Sequence, residues 1–465
     1  MKKGSNRRDF LKLAGLASLG LSSSMASAFQ LKAIQAALEA NSSEKNDYKA
    51  LVCLFMSGGN DSFNMVVPAG TPEYNEYSIT RSDMALPQNE LNPLNLLNSD
   101  GRNFGTHPSL QKTASLFNAG HLAFLNNTGP LIVPTTKETY QNNSVPLPLG
   151  LFSHADQQRN WQTADPGHRS NVGWGGKLAD LMSEMNSNSI ISMNISLSGT
   201  NIFQYGNEHA EFSIKPNSGA PSITGYQNNW GINKERRKAI DKFFNRTYSN
   251  IFEQTYIDLL KSGQEGSNQF QQAIEAVPEF NTVFNDDNLS QSFKMIAKTI
   301  AARETLGFKR QIFFIRFNGW DHHSDLLIKQ QEMFNALDLA LYSFAEVLNE
   351  LNLFESVTTF TMSDFGRTLT SNGNGTDHAW GGNVMMMGGS VSGQKFYGEY
   401  PSLALGNPVE LGKGVLLPTT ANDLYFAELA LWFGVNASDL STLFPNLTHF
   451  YDPSSNQPPL GMLPV

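Results

Sequence analysis

Apolar residues gather into short runs along the chain, and three of these runs end alike. Residues 51–56, 312–317 and 357–362 each read as a strand buried within a sheet. The first is followed by Gly58, Gly59, Asn60, Asp61 and Ser62. The second is followed by Gly319, Trp320, Asp321, His322 and His323. The third runs into Ser363, Asp364, Phe365, Gly366 and Arg367, with Thr376, Asp377, His378, Ala379 and Trp380 shortly after. Open parallel sheets place their sites at the carboxyl ends of strands. Three such ends carrying Asp and His suggest one shared metal or catalytic site.

The stretch at 326–351 has helical periodicity, with Met333, Phe334, Leu337, Leu341, Phe344, Ala345 and Leu348 on one face. It joins the second strand to the third, so a crossover makes them parallel. Residues 109–119 read as a helix, 122–126 as a strand, and 189–197 as a partly alternating strand. Residues 71–105 are rich in Asn, Pro and Ser and read as a long surface excursion. Residues 199–232 read as loop. The charged part at 233–305 has helical periodicity at Ile240, Phe243, Phe244, Ile251, Tyr256, Leu259 and Leu260. It is expected as a helical insertion or as one face of the sheet. No internal repeat or low-complexity tract is present.

The first 28 residues have the pattern of an export address. Arg7 and Arg8 form a twin-arginine pair, residues 13–25 are modestly apolar, and Ala26, Ser27 and Ala28 make a small-x-small cleavage site. The apolar stretch is shorter than the roughly 20 residues a membrane span needs. The expected partner is therefore the twin-arginine export machinery, and the expected location is periplasmic or exported after cleavage near Ala28. Such export carries folded proteins, often with a cofactor already inserted. A short amphipathic helix at 30–40 and a polar linker complete residues 29–47, ahead of one α/β domain at 48–465 with the insertion at about 199–305.

Removing five basic residues and one acidic residue with the signal leaves 28 and 41, a net charge of −13. That acidity argues against nucleic acid. It permits an anionic substrate, because a metal inverts the local field. The one cysteine, Cys53, lies in the first apolar run and reads as a small buried hydrophobe. Nothing else is long and apolar enough for a stable membrane span in the mature chain.

Taken singly, Asp61 after two glycines is more often a turn or helix cap than a ligand. In an extended strand end, Asp321 and His323 point to one side and His322 to the other. That suits a carboxylate and an imidazole on one metal, or a pair of capping groups before the helix. Asp364 repeats the pattern, and Asp377 with His378 lies in a glycine-rich loop at 371–382 that can fold over the site.

These motifs, with Ser153, His154 and Gln157, Leu416 to Thr420, Phe433 to Val435 and Phe444 to Leu447, resemble the domain of unknown function 1501 family of twin-arginine-exported proteins. That family is similar to the alkaline phosphatase and sulfatase superfamily. The resemblance implies an alkaline-phosphatase-like three-layer α/β/α sandwich with a mostly parallel sheet. It implies a divalent metal, zinc foremost, as one or two ions. Asp61 and Asp364 match the ligands of one ion, and Asp321, His323 and His378 those of the other. Phe365 departs from the pattern, since metal-dependent phosphatases of the superfamily carry His there. The resemblance then implies either a single ion, or a second, weak one completed by Asn60, Asp377 or water.

The nucleophile implied is Ser153, with Ser62 as second candidate and helix capping as Ser153's alternative role. Arg367 and His154 would hold the anionic oxygens. A formylglycine sulfatase does not fit, because the cassette starting at Ser153 has Gln157 where Arg is needed. Two functions follow: a hydrolase of phosphate or sulfate esters, or a non-catalytic descendant that binds a surface glycan or a partner protein.

Overall fold

The structure is a computed structural model that describes residues 48–227, 230–455 and 457–465. The export segment, the helix expected at 30–40 and the linker lie outside the described residues.

The nine strands of the central sheet, in chain order, are β1 (Lys49–Ser57), β2 (Leu122–Gly129), β3 (Asn194–Ser196), β4 (Phe212–Ser213), β5 (Arg310–Asn318), β6 (Val357–Ser363), β7 (Gly382–Met387), β8 (Phe396–Tyr397) and β9 (Thr420–Ala421). Their spatial order is β8-β2-β7-β6-β1-β5-β3-β4, with β9 beside the end of β2. Only β7 runs antiparallel to its neighbours. The sheet is thus mixed and mostly parallel. β1 is buried along Ala50 to Met56, as its unbroken apolar pattern requires, and Cys53 is buried within it.

The principal helices are α1 (Thr71–Arg81), α2 (Gln111–Asn118), α3 (His154–Thr163), α4 (Trp174–Met182), α5 (Gly231–Phe244), α6 (Ile251–Glu275), α7 (Asn288–Ala301), α8 (Leu326–Glu350) and α9 (Asn422–Phe433). Helices α2, α7 and α8 pack together on one face of the sheet. Phe293 meets Phe344 at 4.8 Å, and Asp338 accepts from the Thr113 amide at 2.6 Å, so a carboxylate sits at the positive end of α2. On the other face Trp174 of α4 stacks on Phe426 of α9 at 4.8 Å, and Trp161 of α3 meets the same ring at 5.9 Å. The result is three layers, α/β/α. Helix α8 carries the chain from β5 to β6 across β1, and all three strands are parallel.

Three segments differ from the sequence expectation. Residues 71–105 are not a structureless excursion. Pro72 opens α1, which buries Tyr77, Thr80 and Arg81, and residues 92–94 and 104–106 join 66–68 in a small antiparallel sheet. Of 189–197 only Asn194–Ser196 pairs as strand. The Asn188 side chain accepts from the amides of Ile190 and Ile191, and this local turn competes with extension. Within 199–305, α7 belongs to the covering layer, with Phe293, Ile296 and Ile300 fully buried. The insertion proper is α5 and the first half of α6. No described helix is long and apolar enough to cross a membrane.

Candidate metal centre

Ser57 of β1 lies opposite Asn318 of β5, and Met56 lies opposite Ser363 of β6. The three strands therefore end level, and their loops leave the sheet side by side. Close packing of these loops demands glycine at their start. Gly58 has φ +122°, and a Cβ there would come within 2.5 Å of the Asp321 amide nitrogen. Arg367 then ties the loops together. It is buried, and its guanidinium donates to the carbonyls of Gly58 (3.0 Å), Gly59 (3.1 Å), Thr376 (3.0 Å) and Trp320 (3.4 Å). It also grips the Asp321 carboxylate.

At this level edge His154, Asp321 and His378 each offer one ligand atom, all within 4.8 Å of one another, and can hold a metal ion. His154 Nε2 lies 3.5 Å from Asp321 Oδ2, and His378 Nε2 lies 3.5 Å from Asp321 Oδ1. Zinc bonds of roughly 2.0–2.1 Å set tetrahedral ligand atoms about 3.3 Å apart, so these edges are close to the required size. The imidazoles are oriented from behind. His378 Nδ1 is 2.7 Å from the Phe152 carbonyl, which only accepts, so Nδ1 carries the proton and Nε2 the lone pair. His154 Nδ1 is 2.6 Å from Asp364 Oδ2, and Asp364 also accepts from Gln158 Nε2 (2.9 Å) and the Gly58 amide (3.1 Å). Metal-binding histidines are held in this way. His154 Nε2 itself is a buried atom with no hydrogen-bond partner.

Electrostatics agree with the geometry. Burial pushes His378 below its ordinary value of 6.5, which favours the neutral, ligating form. Burial alone would raise Asp321, but the hydrogen bond and charge of Arg367 outweigh it and hold the carboxyl below 3.8. The Asp321 side chain is 46% exposed, so the cluster is open on one side. His323 stands next to the group, its Nε2 3.0 Å from His378 Nε2 and 3.1 Å from Asp321 Oδ1, with Asp377 3.4 Å from its Nδ1.

The other expected residues take different places. Asp61 is fully buried with Oδ2 2.6 Å from Arg81, outside the cluster. Asp364 acts on His154 rather than joining the three ligand atoms. Arg367, expected to hold an anion, is occupied by carbonyls and Asp321. Ser62 Oγ accepts from the Asn383 amide at 2.7 Å in the core. Asn60 directs its amide at Met65. Ser153 stands at the start of α3 and makes no capping hydrogen bond. His322 turns inward, and desolvation lowers it to about 4. It does so although residues 319–323 lie beyond β5 and turn tightly, the His322 amide donating to the Trp320 carbonyl at 2.9 Å and the His323 amide to that of Asp321 at 3.1 Å. Phe365 is buried, with its ring 4.9 Å from His154 and 4.6 Å from His378.

Sequence reasoning missed three contributors: Arg81, the Phe152 carbonyl and Gln158. Gln158 was within reach, since it lies one helical turn after His154 on the same face of α3. Its neighbour Gln157 is buried on the carbonyls of Leu149 and Gly150 instead. Arg81 gave no signal, because it closes a helix in a segment that reads as loop.

Several solved structures are similar to the chain. Ps i-CgsB in complex with k-i-k-neocarrahexaose is 11% identical with a TM-score of 0.36, over 89% of this chain and 78% of that one. The PsFucS1 sulfatase from Pseudoalteromonas sp. is 10% identical with a TM-score of 0.30, over 80% and 69%. The lipoteichoic acid synthase LtaP from Listeria monocytogenes is 8% identical with a TM-score of 0.29, over 86% and 73%. No curated protein matches. Residues 48–439 match the profile of the family described as Protein of unknown function (DUF1501), and the chain belongs to that family.

Proposed function

We propose that this is an exported, metal-dependent hydrolase of phosphate or sulfate esters that binds a zinc or similar divalent ion through His154, Asp321 and His378. The observation that carries the reading is the donor set: two imidazole Nε2 atoms, one of them a buried orphan, and an ionised carboxylate at ligand spacing. His323 Nε2, 3.0 Å from His378 Nε2 and 3.1 Å from Asp321 Oδ1, meets the same spacing and is a further donor at this cluster. Two imidazoles and one carboxylate with an open side are the ligand pattern of catalytic zinc. A divalent ion held there supplies Lewis acidity toward an ester oxygen and a nucleophilic water at neutral pH.

The protein's own groups do the rest. Asp364 and the Phe152 carbonyl fix the two imidazoles, and Arg367 fixes Asp321. Helix α3 begins at His154, so its positive end lies beside the cluster and suits the anionic oxygens of an ester. The Ser153 hydroxyl, free of a capping role, is the candidate nucleophile beside water. One ion is favoured, because Asp61 lies outside the cluster with one oxygen on Arg81, and the Phe365 ring packs against His154 and His378. Export is supported by Arg7, Arg8 and the Ala26 to Ala28 cleavage pattern.

Purified protein should carry about one zinc per chain. It should hydrolyse aryl phosphates or aryl sulfates, lose that activity to a chelator and regain it with zinc. Bound metal without turnover on a broad ester panel would favour the glycan- or partner-binding alternative. Failure to retain zinc after loading would sink the donor set.

A further inference from the structure

The pair formed by α5 and the first half of α6 stands apart from the metal centre at the outer edge of the sheet. Helix α6 packs on β4 only through its later turns, where Phe270 meets Phe212 at 5.7 Å. Helix α5 buries no residue. On early α6, Phe252, Tyr256 and Leu259 recur at i, i+4 and i+7 and so share a face. They are 82%, 61% and 70% exposed. Trp230 and Ile232 at the start of α5 are 74% and 70% exposed. Large apolar side chains concentrated in this way mark a contact surface.

The charge of the pair says what it contacts. Residues 230–263 hold seven Lys and Arg against four Asp and Glu, a net of +3, in a chain of net −9 whose remainder is therefore −12. Lys234, Arg236, Lys238 and Lys242 are exposed along α5. Exposed Trp, Phe and Leu combined with a row of cations is the composition of helices that lie in a bilayer interface. We propose that this helix pair docks on an anionic lipid bilayer, with the apolar side chains at the acyl boundary and the cations among headgroup phosphates. A second copy fits less well, since a two-fold contact would set the same cationic surface against itself.

The test is sedimentation of the full chain with phosphatidylcholine vesicles, with and without phosphatidylglycerol. Binding should require phosphatidylglycerol and weaken with added salt. Phe252→Ser with Leu259→Ser, and separately Lys234→Glu with Arg236→Glu and Lys238→Glu, should each weaken it by about tenfold or more. These surface changes should leave the melting temperature and the metal content unchanged. Failure to sediment with anionic vesicles would overturn the proposal. So would vesicle binding that both sets of substitutions leave intact, or a dimer in light scattering that the Phe252 and Leu259 changes dissolve while vesicles stay unbound.

Discussion

The loop after β1 and the loop after β5 leave neighbouring parallel strands at the same level. Each leaves through a glycine at positive φ, Gly58 at +122° and Gly319 at +113°, and each soon presents an Asp. Their carboxylates nevertheless have opposite fates. Asp61 is fully buried and paired with Arg81, a residue that closes helix α1. Asp321 is half exposed, gripped by Arg367, and faces three imidazoles. A strand end supplies position, not chemistry. The difference is made by which groups other segments bring to it: an arginine that pairs with one oxygen of a buried carboxylate and leaves its second oxygen without a hydrogen-bond partner among the described residues, against an arginine that aims the other carboxylate at histidines.

The largest expected effect comes from breaking the first of these. Arg81→Met would leave the Asp61 charge buried without its partner and should cost about 3–5 kcal/mol, read from urea unfolding. Adding Asp61→Leu should recover most of the loss. Metal per folded chain should stay unchanged in both. A fall in metal would place Asp61 among the ligands and end the comparison.

On the β5 side, Asp321→Ala or His378→Ala removes one of three ligand atoms, and bound zinc should be lost by elemental analysis. Asp364→Asn keeps the shape but weakens the hold on His154 Nδ1. It should lower zinc affinity by roughly 10–100-fold in chelator competition. Equal metal loss in all three variants would make Asp364 a direct ligand.

The sequence showed the three strand ends and the crossover helix, because each depends on local periodicity. It also picked out Asp321, His323 and His378 as donors and His154 as a holder of anionic oxygens; the structure brings the four side chains to one place, with His154 Nε2 turned toward Asp321. It did not separate Asp61 from Asp321, since that distinction depends on Arg81, far from the strand-end motifs. Nor did it show that Arg367 is consumed by carbonyls. Which donor meets which acceptor across loops is decided by packing, and no spacing along the chain encodes it.

Acid should reveal the same asymmetry in metal-free protein. The folded values of His378 and Asp321 both lie below their ordinary 6.5 and 3.8, so the unfolded chain takes up their protons first. The stability tied to His378 is present above about pH 6.5 and is lost as pH falls toward its folded value; that tied to Asp321 is lost only below about pH 4. Melting of chelated protein should therefore drop between pH 7 and pH 5, with His322 and His107, which burial lowers to about 4, contributing alongside His378, and His378→Gln should reduce the slope without abolishing it. A slope equal to that of the wild type would remove His378 from the account.

The smallest expected change in stability separates two serines. Ser62, next to Asp61, has its oxygen fixed by the Asn383 amide inside the core, so Ser62→Ala should cost about 1–2 kcal/mol through a stranded donor. Ser153 stands beside His154 without a capping bond, so Ser153→Ala should cost under about 0.5 kcal/mol. Zinc content should stay at the wild-type level in both. Turnover then distinguishes the chemistry at the site. If Ser153 attacks the ester, its alanine variant should keep the metal and lose hydrolysis; if water attacks, the variant should turn over at close to the wild-type rate. Loss of zinc in Ser153→Ala would fit neither path and would place that hydroxyl in the donor set itself.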